Sequence, residues 1–200
     1  MKFSIIIPAH NAADHIFRAL DSVKKQTFTD YELIVVCDSC YDSTEDIAKG
    51  CGAITVRTDY HRDGLARNAG LDIARGEYVL FMDDDDWWLH EFVLEEINGE
   101  LIRSNCDILC FGFVWKGVGV TSPEMRRGIV YPNVWSKAWR REAIGDTRFS
   151  DEWSVSDLGF TQRMLEKTQN VQLWNMPLYY YNYMREGSIT ERAKSGKVPE

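Results

Sequence analysis

Four consecutive aspartates, Asp83, Asp84, Asp85 and Asp86, follow directly on the apolar stretch 77–82. Like charges ~4 Å apart repel by about 1 kcal/mol in water and several-fold more near a protein surface, so such a cluster is strained unless a cation sits there. Carboxylate oxygens suit hard cations, Mg²⁺, Mn²⁺ or Ca²⁺. In an extended chain Asp83 and Asp85 share a side, so both can face one cleft. An ion of the Mg²⁺ type, held by two carboxylates, keeps open positions for phosphate oxygens. The competing reading is a solvated acidic loop that caps the next helix.

The elements that must position this cluster alternate. Ser4-Ile5-Ile6-Ile7 is an apolar, β-branched run closed by Pro8, as expected of a buried strand. After a turn at 8–11, Ile16, Leu20 and Val23 fall at i, i+4 and i+7 on one helical face that ends near Gln26. Residues 32–36 predict a second buried strand. Asp42 or Ser43 caps the short helix that follows, and Gly50 ends it. Residues 53–57 predict a third strand. Leu65, Ala69 and Ile73 mark a helix stopped by Gly76. Residues 77–82 form a fourth strand that runs straight into Asp83. This alternation implies right-handed crossovers and a mostly parallel central sheet flanked by helices, an α/β, Rossmann-like single domain. Ligands of such sheets sit beyond the carboxyl ends of the strands. Asn11, Asp38 and Asp83 each follow a strand end and so converge on one edge.

The second half is less regular. Val93, Ile97 and Leu101 predict a helix, with Gly99 costing it ~1 kcal/mol relative to Ala. Residues 108–115 read as a strand. The segment 116–127, with its glycines and Pro123, reads as a mobile loop. Residues 134–143 and 155–167 look helical, and 171–174 and 178–183 look like strands. The polar stretch 193–200 is expected to fray, leaving one domain over 1–192.

The 23 basic and 31 acidic residues give a net charge of −8, which disfavours a nucleic-acid partner. The exception would be a basic rim built from Arg126, Arg127, Lys137, Arg140 and Arg141. No run approaches the ~18 apolar residues of a membrane span, and no cleavage pattern follows the first apolar stretch. The chain reads as cytoplasmic, with peripheral membrane contact left open. Five cysteines, an odd number, fit reduced thiols better than a disulfide framework. Cys37 and Cys40 make a C-x-x-C, read here as two unpaired thiols because no partner is visible.

Several segments resemble one family in its own order. Ser4-Ile5-Ile6-Ile7-Pro8-Ala9-His10-Asn11 resembles the opening of family 2 glycosyltransferases of the GT-A fold. Leu65-Ala66-Arg67-Asn68-Ala69-Gly70 resembles the family's ARNxG segment, and Phe81-Met82-Asp83-Asp84-Asp85-Asp86-Trp87 its metal motif. Val134-Trp135-Ser136-Lys137 is similar to the acceptor-side WxK segment. Phe149 followed by Ser156-Asp157 resembles the spacing before the catalytic Glu-Asp pair, and Gly187-Ser188-Ile189-Thr190 the closing tail. The likeness covers residues 3–190.

The resemblance implies a metal-dependent, inverting transfer of a sugar from a nucleotide-diphosphate sugar to a hydroxyl. A UDP-sugar is the first expectation, with dTDP- and GDP-sugars open, and the acceptor would be a glycan or glycoconjugate. Residues 1–88 would form the nucleotide-sugar and metal half, and 89–192 the acceptor half. Pro8, His10 and Asn11 would line the nucleotide cleft, with Asp38 near the base or ribose and Arg67 near the diphosphate or sugar. Asp83 would hold the ribose or the metal, Asp85 would bind Mn²⁺ or Mg²⁺ directly, and Asp84 would lie on the same donor side. Trp87, Trp135 and Lys137 would lie on the acceptor side. Asp157 would be the general base.

The chain departs from the family pattern in places. Where Asp-Asp-Gly-Ser is usual after the second strand, this chain has Cys37-Asp38-Ser39-Cys40, and Ser156 stands where Glu usually precedes the catalytic Asp. Asn182 takes the place of an arginine in the tail, with Arg185 nearby. These departures keep open a non-catalytic GT-A module that binds a nucleotide or sugar. Nucleotidyl transfer is a third reading, but residues 8–13 lack the glycine- and lysine-rich phosphate loop it would want.

Overall fold

The computed structural model describes residues 1–124, 130–151, 156–183 and 185. The first half alternates as expected: β1 (Phe3–Ala9), α1 (Ile16–Lys24), β2 (Tyr31–Asp38), α2 (Thr44–Gly50), β3 (Ile54–Thr58), α3 (Asp63–Ile73) and β4 (Tyr78–Phe81). The remainder adds β5 (Trp87–Trp88), α4 (Val93–Ser104), β6 (Ile108–Trp115), β7 (Gly119–Thr121), β8 (Lys137–Arg140), α5 (Arg141–Ile144), α6 (Ser156–Lys167) and β9 (Val171–Tyr181).

One sheet runs in the order β3-β2-β1-β4-β8-β6-β9-β5, with β7 paired to β6. It is parallel through β3, β2, β1 and β4. Beyond β4 it is mixed: β8 is antiparallel to β4 and to β6, while β6 and β9 are parallel. Alternation along β1 explains why helices cover both faces. Ile5 and Ile7 pack with Leu20, Val23 and Ile97 of α1 and α4. Ile6 packs on the other face with Ala66, Ile144 and Phe160 of α3, α5 and α6.

The helix α3 turns a different face inward from the one its apolar spacing suggests. Gly64, Ala66, Arg67, Gly70 and Leu71 are buried, whereas Ile73 is exposed. Small residues let the helix lie close on the sheet. A Cβ at Gly70 would stand 2.5 Å from Ile6 Cγ2. The short helix α2 runs through Gly50, and Gly52, at φ +82°, makes the left-handed turn instead.

Other expectations are corrected in the second half. The predicted helix over 134–143 is instead β8 followed by the short α5. Ala138 packs on one face of the sheet and Trp139 on the other, and burial between β4 and β6 outweighs helical propensity. The two predicted C-terminal strands are one, β9, and a register irregularity opposite Gly112 absorbs the break between them. Part of the predicted loop 116–127 is β7, an arm of a hairpin with β6. Val155, Arg126, Arg127, the tail 187–190 and the stretch 193–200 lie outside the described residues.

Candidate active site

The central strands β2, β1 and β4 are neighbours, so the residues that follow them share one edge of the sheet. After β1, His10 Nδ1 lies 2.7 Å from the Asp38 carbonyl oxygen, and His10 Nε2 lies 3.0 Å from Asn11 Nδ2. That pair sets the tautomer: Nδ1–H donates and Nε2 accepts. Asn11 sits in the left-handed region at φ +48° and accepts a bond from the Tyr41 N–H at 3.0 Å. Pro8 is buried inside β1 rather than closing it.

Asp38 is buried, and its carboxylate is occupied by its own chain. It accepts from Thr58 Oγ1 at 2.8 Å, from the Tyr60 N–H at 2.7 Å and from the Arg62 N–H at 2.9 Å. Its carboxylate therefore orders the loop 58–62. A cavity of about 410 Å³ opens beside it, lined by Cys37, Ser39, Cys40, Arg57, Thr58 and Asp59.

Arg67 is the hub of the acidic edge. The helix α3 carries it inward, and it is 4% exposed. Its guanidinium donates to Asp63 and, at 2.8 Å, to Asp83 Oδ1, and lies 3.4 Å from Asp157 Oδ1. Asp83 belongs to the end of β4 and Asp157 to the first turn of α6, so one side chain joins the two halves of the chain. Asp83 and Asp157 each stay 29% exposed, which leaves both open to the cleft. One cation among three carboxylates does not neutralise them. Burial, against the pull of Arg67 and with the push of Asp157 and Asp85, raises Asp83 to about 7. Burial also raises Asp157, again against Arg67.

The four aspartates divide their work. Asp86 is fully buried and structural: it accepts from the Tyr179 hydroxyl at 2.7 Å and from the Asn182 N–H at 2.8 Å. The Tyr179 hydroxyl in turn accepts the Asp83 N–H at 3.1 Å, so β9 holds the Asp83 backbone. Asp84 meets His15 at 3.2 Å, and Asp85 meets Arg185 at 2.7 Å. Burial and the neighbouring Asp84 push Asp85 up, partly offset by Arg185. Among the described residues, no three acidic, histidine or cysteine side chains form a cage able to hold an ion by themselves. The hard oxygen donors Asp83 and Asp85, the second close enough to push the first up, nevertheless fit a divalent cation whose other ligands would come from phosphates and water.

The expected acceptor-side residues do not offer free side chains. Trp135 is 6% exposed and stacks on Tyr179 and Tyr181 at 4.6 and 5.0 Å, so it is core. Lys137 is buried, and its ammonium bonds the Tyr131 carbonyl at 2.7 Å, the Asn133 carbonyl, and Asn133 Oδ1 at 2.9 Å. It clamps the turn from which the Val134 N–H approaches Asp157 Oδ2 at 3.3 Å. Burial lowers Lys137 to about 8. The Trp87 ring stacks on Tyr180 at 4.1 Å and carries the Arg18 guanidinium at 3.2 Å, so its own chain takes up its stacking. The basic rim is not assembled by Lys137, Arg140 and Arg141: Arg140 pairs with Asp107 and Glu77, and Arg141 bonds the Gly76 carbonyl.

Some partners carry no signal in the sequence. His15 is one lone histidine in a helical approach, and the tie from Tyr179 to Asp83 spans a separation that no local pattern reveals. Asp63 does carry one, its i,i+4 spacing to Arg67.

A parallel sheet edge carrying this acidic cluster and closed by a mixed second half is the GT-A architecture, and comparison with known proteins agrees. The family model "Glycosyl transferase family 2" matches residues 4–173, and the chain belongs to that family. The poly(ribitol-phosphate) beta-N-acetylglucosaminyltransferase TarS of Staphylococcus aureus is 29% identical over 94% of this chain and 36% of its own length. A crystal structure of TarS residues 1–349 with UDP-GlcNAc superposes at a TM-score of 0.84, with 25% identity, over 96% of this chain and 61% of that one. The glycosyltransferase GlyA of Streptococcus pneumoniae is 33% identical over 94% of this chain and 31% of its own length. The mannosyltransferase PcManGT of Pyrobaculum calidifontis, solved with GDP-Man and Mn²⁺, shares the fold at a TM-score of 0.75 and 16% identity, over 100% of this chain and 65% of that one. The chain thus spans about a third of the length of TarS and of GlyA.

Proposed function

We propose that this chain transfers a glycosyl group from a nucleotide-diphosphate sugar, a UDP-sugar first, to a hydroxyl of a glycan or glycoconjugate, with inversion at the anomeric carbon. The observation that carries this reading is the convergence of Asp83, at the end of β4, and Asp157, at the start of α6, on the one buried guanidinium of Arg67. That convergence supports a donor-side and an acceptor-side carboxylate sharing one cleft. The UDP-GlcNAc bound by TarS supports the donor class.

In this reading Asp157 takes the proton of the attacking hydroxyl. Its raised proton affinity suits a general base, which works best near the operating pH. The new bond forms between the acceptor oxygen and the anomeric carbon as the bond to the diphosphate breaks, through an oxocarbenium-like state. Arg67 and the Val134 N–H orient the base. Asp83 and Asp85 are the residues that would hold Mn²⁺ or Mg²⁺. A bound cation supplies Lewis-acid stabilisation of the departing diphosphate. The same fold accommodates Mn²⁺ in the Pyrobaculum neighbour. His10 and Asn11 line the nucleotide side. Asp38 acts there through the loop it orders.

Among the described residues no helix is long and apolar enough to cross a membrane, and all five cysteines are free. The test is UDP release and product formation from UDP-sugars with a panel of glycan acceptors. Asp157→Asn is expected to bind UDP as the wild type does and to form no product. Transfer by Asp157→Asn at the wild-type rate would overturn the assignment. UDP binding by the wild type without product from any donor and acceptor would favour the non-catalytic module instead.

A further inference from the structure

The C-x-x-C at the end of β2 is not a pair of isolated thiols. Ser39, between the cysteines, sits at φ +53° and is pinned by its N–H to the Thr58 carbonyl at 2.8 Å and by its hydroxyl to Asp59 at 2.7 Å. That left-handed residue folds the chain back, so that the Cys40 thiol reaches the carbonyl of Ala9, the residue that β1 sets opposite Cys37. Both line the cavity of about 410 Å³ beside Asp38. Their access differs. Cys37 is 1% exposed, while Cys40 is only half-buried, its Sγ 3.3 Å from the Ala9 carbonyl.

We propose that Cys37 and Cys40 are a redox-modification site, joined by a peroxide-class oxidant into a disulfide that reshapes the donor side of the cleft and weakens nucleotide binding. The chemistry divides by access. The Cys40 thiolate attacks a peroxide oxygen, the O–O bond breaks, and hydroxide leaves, giving a sulfenic acid at Cys40. The Cys37 thiol gives its proton to hydroxide, and its sulfur attacks Cys40 Sγ. The S–S bond forms, the S–O bond breaks, and the second oxygen leaves as hydroxide, which takes up the proton that Cys40 released on ionising and becomes water. Two thiols and one peroxide become one disulfide and two waters. A dithiol reductant reverses the step by exchange.

The surroundings suit these roles. The neighbouring Cys37 thiol lowers Cys40 to about 7, helped by the Asn11 N–H and His10 and opposed by burial and Asp42. The neighbouring Cys40 thiol and burial push Cys37 up, as expected of the thiol that waits with its proton. Burial also raises Cys106 and Cys110, which are buried away from the cavity. Closing the pair would pull on Ser39, and through its bonds on Thr58 and Asp59, which also line the cavity. It would also displace the turn whose next residue, Tyr41, holds Asn11.

The gating half of this inference rests on the proposed donor cleft, so the two are read separately. The reduced chain is treated with one equivalent of hydrogen peroxide, remaining thiols are alkylated under denaturing conditions, and tryptic peptides are weighed. Both cysteines fall on the single peptide 26–49. The expected result is that peptide two hydrogens lighter and unalkylated, with Cys51, Cys106 and Cys110 alkylated, and reversal by dithiothreitol. Preferential oxidation of Cys51, or a Cys40 that stops at sulfenic acid, overturns the site. UDP titration then compares reduced and oxidised chains, and roughly tenfold weaker binding after oxidation is expected, a difference of about 1.4 kcal/mol. A disulfide that leaves UDP affinity unchanged overturns the gating alone. A reduced chain that binds no UDP overturns the gating together with the donor reading, while the peptide masses still decide the disulfide. Cys40→Ser should stay unoxidised at Cys37 under the same treatment, and the wild-type masses stand even if that variant folds poorly.

Discussion

Arg67 and Asp157 face each other at 3.4 Å across the seam between α3 and α6, 90 positions apart in the chain. The same guanidinium holds Asp83 at 2.8 Å. The proposed base and the acidic strand end therefore share one buried cation, and the two halves of the domain cannot shift independently without breaking that link.

Replacing Arg67 by Met leaves Asp63, Asp83 and Asp157 facing one another without a cation. Removing one partner of a buried ion pair costs about 3–5 kcal/mol. Because the three carboxylates keep some solvent contact, the lower end is expected in urea denaturation. Adding Asp83→Asn to Arg67→Met should recover part of the loss. Full stability in Arg67→Met alone would contradict the hub.

The acidic edge sets a pH dependence with a definite sign. Asp83 is raised to about 7 from an ordinary value of 3.8. Between about pH 4 and about pH 7 the folded chain keeps a proton that the unfolded chain has released, so stability falls as pH rises through this window. Burial raises Asp86 and Asp157 as well, adding the same sign. Melting temperatures of the metal-free chain across that range should decline with pH, and Asp83→Asn should flatten the slope. An equal slope in that variant would show that Asp83 is not its source.

The Tyr179 hydroxyl ties Asp86 to the Asp83 backbone. Tyr179→Phe leaves the fully buried Asp86 carboxyl group short of one partner, and a buried polar group left unsatisfied costs about 1–3 kcal/mol. Chemical denaturation measures this. Because the same change frees the Asp83 N–H, UDP binding should weaken too. Unaltered stability would remove the tie from the account.

Gly70 lets α3 lie on β1. A Cβ there stands 2.5 Å from Ile6 Cγ2, and overpacking of this kind costs about 1–3 kcal/mol. Gly70→Ala should melt lower, and Ile6→Ala in the same chain should relieve part of the strain even though it is itself destabilising. A Gly70→Ala chain as stable as the wild type would mean that the helix stands farther from the sheet.

The parallel half of the fold is legible because each of its elements shows a single period. Ile5, Ile6 and Ile7 make a short β-branched run whose length and residue type mark a strand buried on both faces, and Ile16, Leu20 and Val23 repeat at helical spacing. Residues 134–143 mislead because β8 is defined by the two strands it is wedged between, not by its own pattern. The candidate site divides the same way. Asp83 can be picked out by type and spacing, and Arg67 and Asp157 by the family resemblance, but their meeting depends on α3 turning Arg67 inward, against the apolar face of Leu65, Ala69 and Ile73. Trp135 and Lys137 have the residue types of a binding surface, yet the aromatic core and the 131–134 turn claim them.

The central claim is a metal-assisted nucleotide-sugar site at the Asp83–Asp85 edge. The direct measurement is thermal unfolding against UDP, GDP, dTDP, CDP and ADP, each with and without Mn²⁺. A ligand at 100 times its Kd adds ~2.7 kcal/mol, a rise of several degrees for a chain of this size. The account predicts a rise with UDP that needs Mn²⁺ and is lost in Asp85→Ala. No rise with any of the five nucleotides, or a rise with UDP that Asp85→Ala retains, would contradict it.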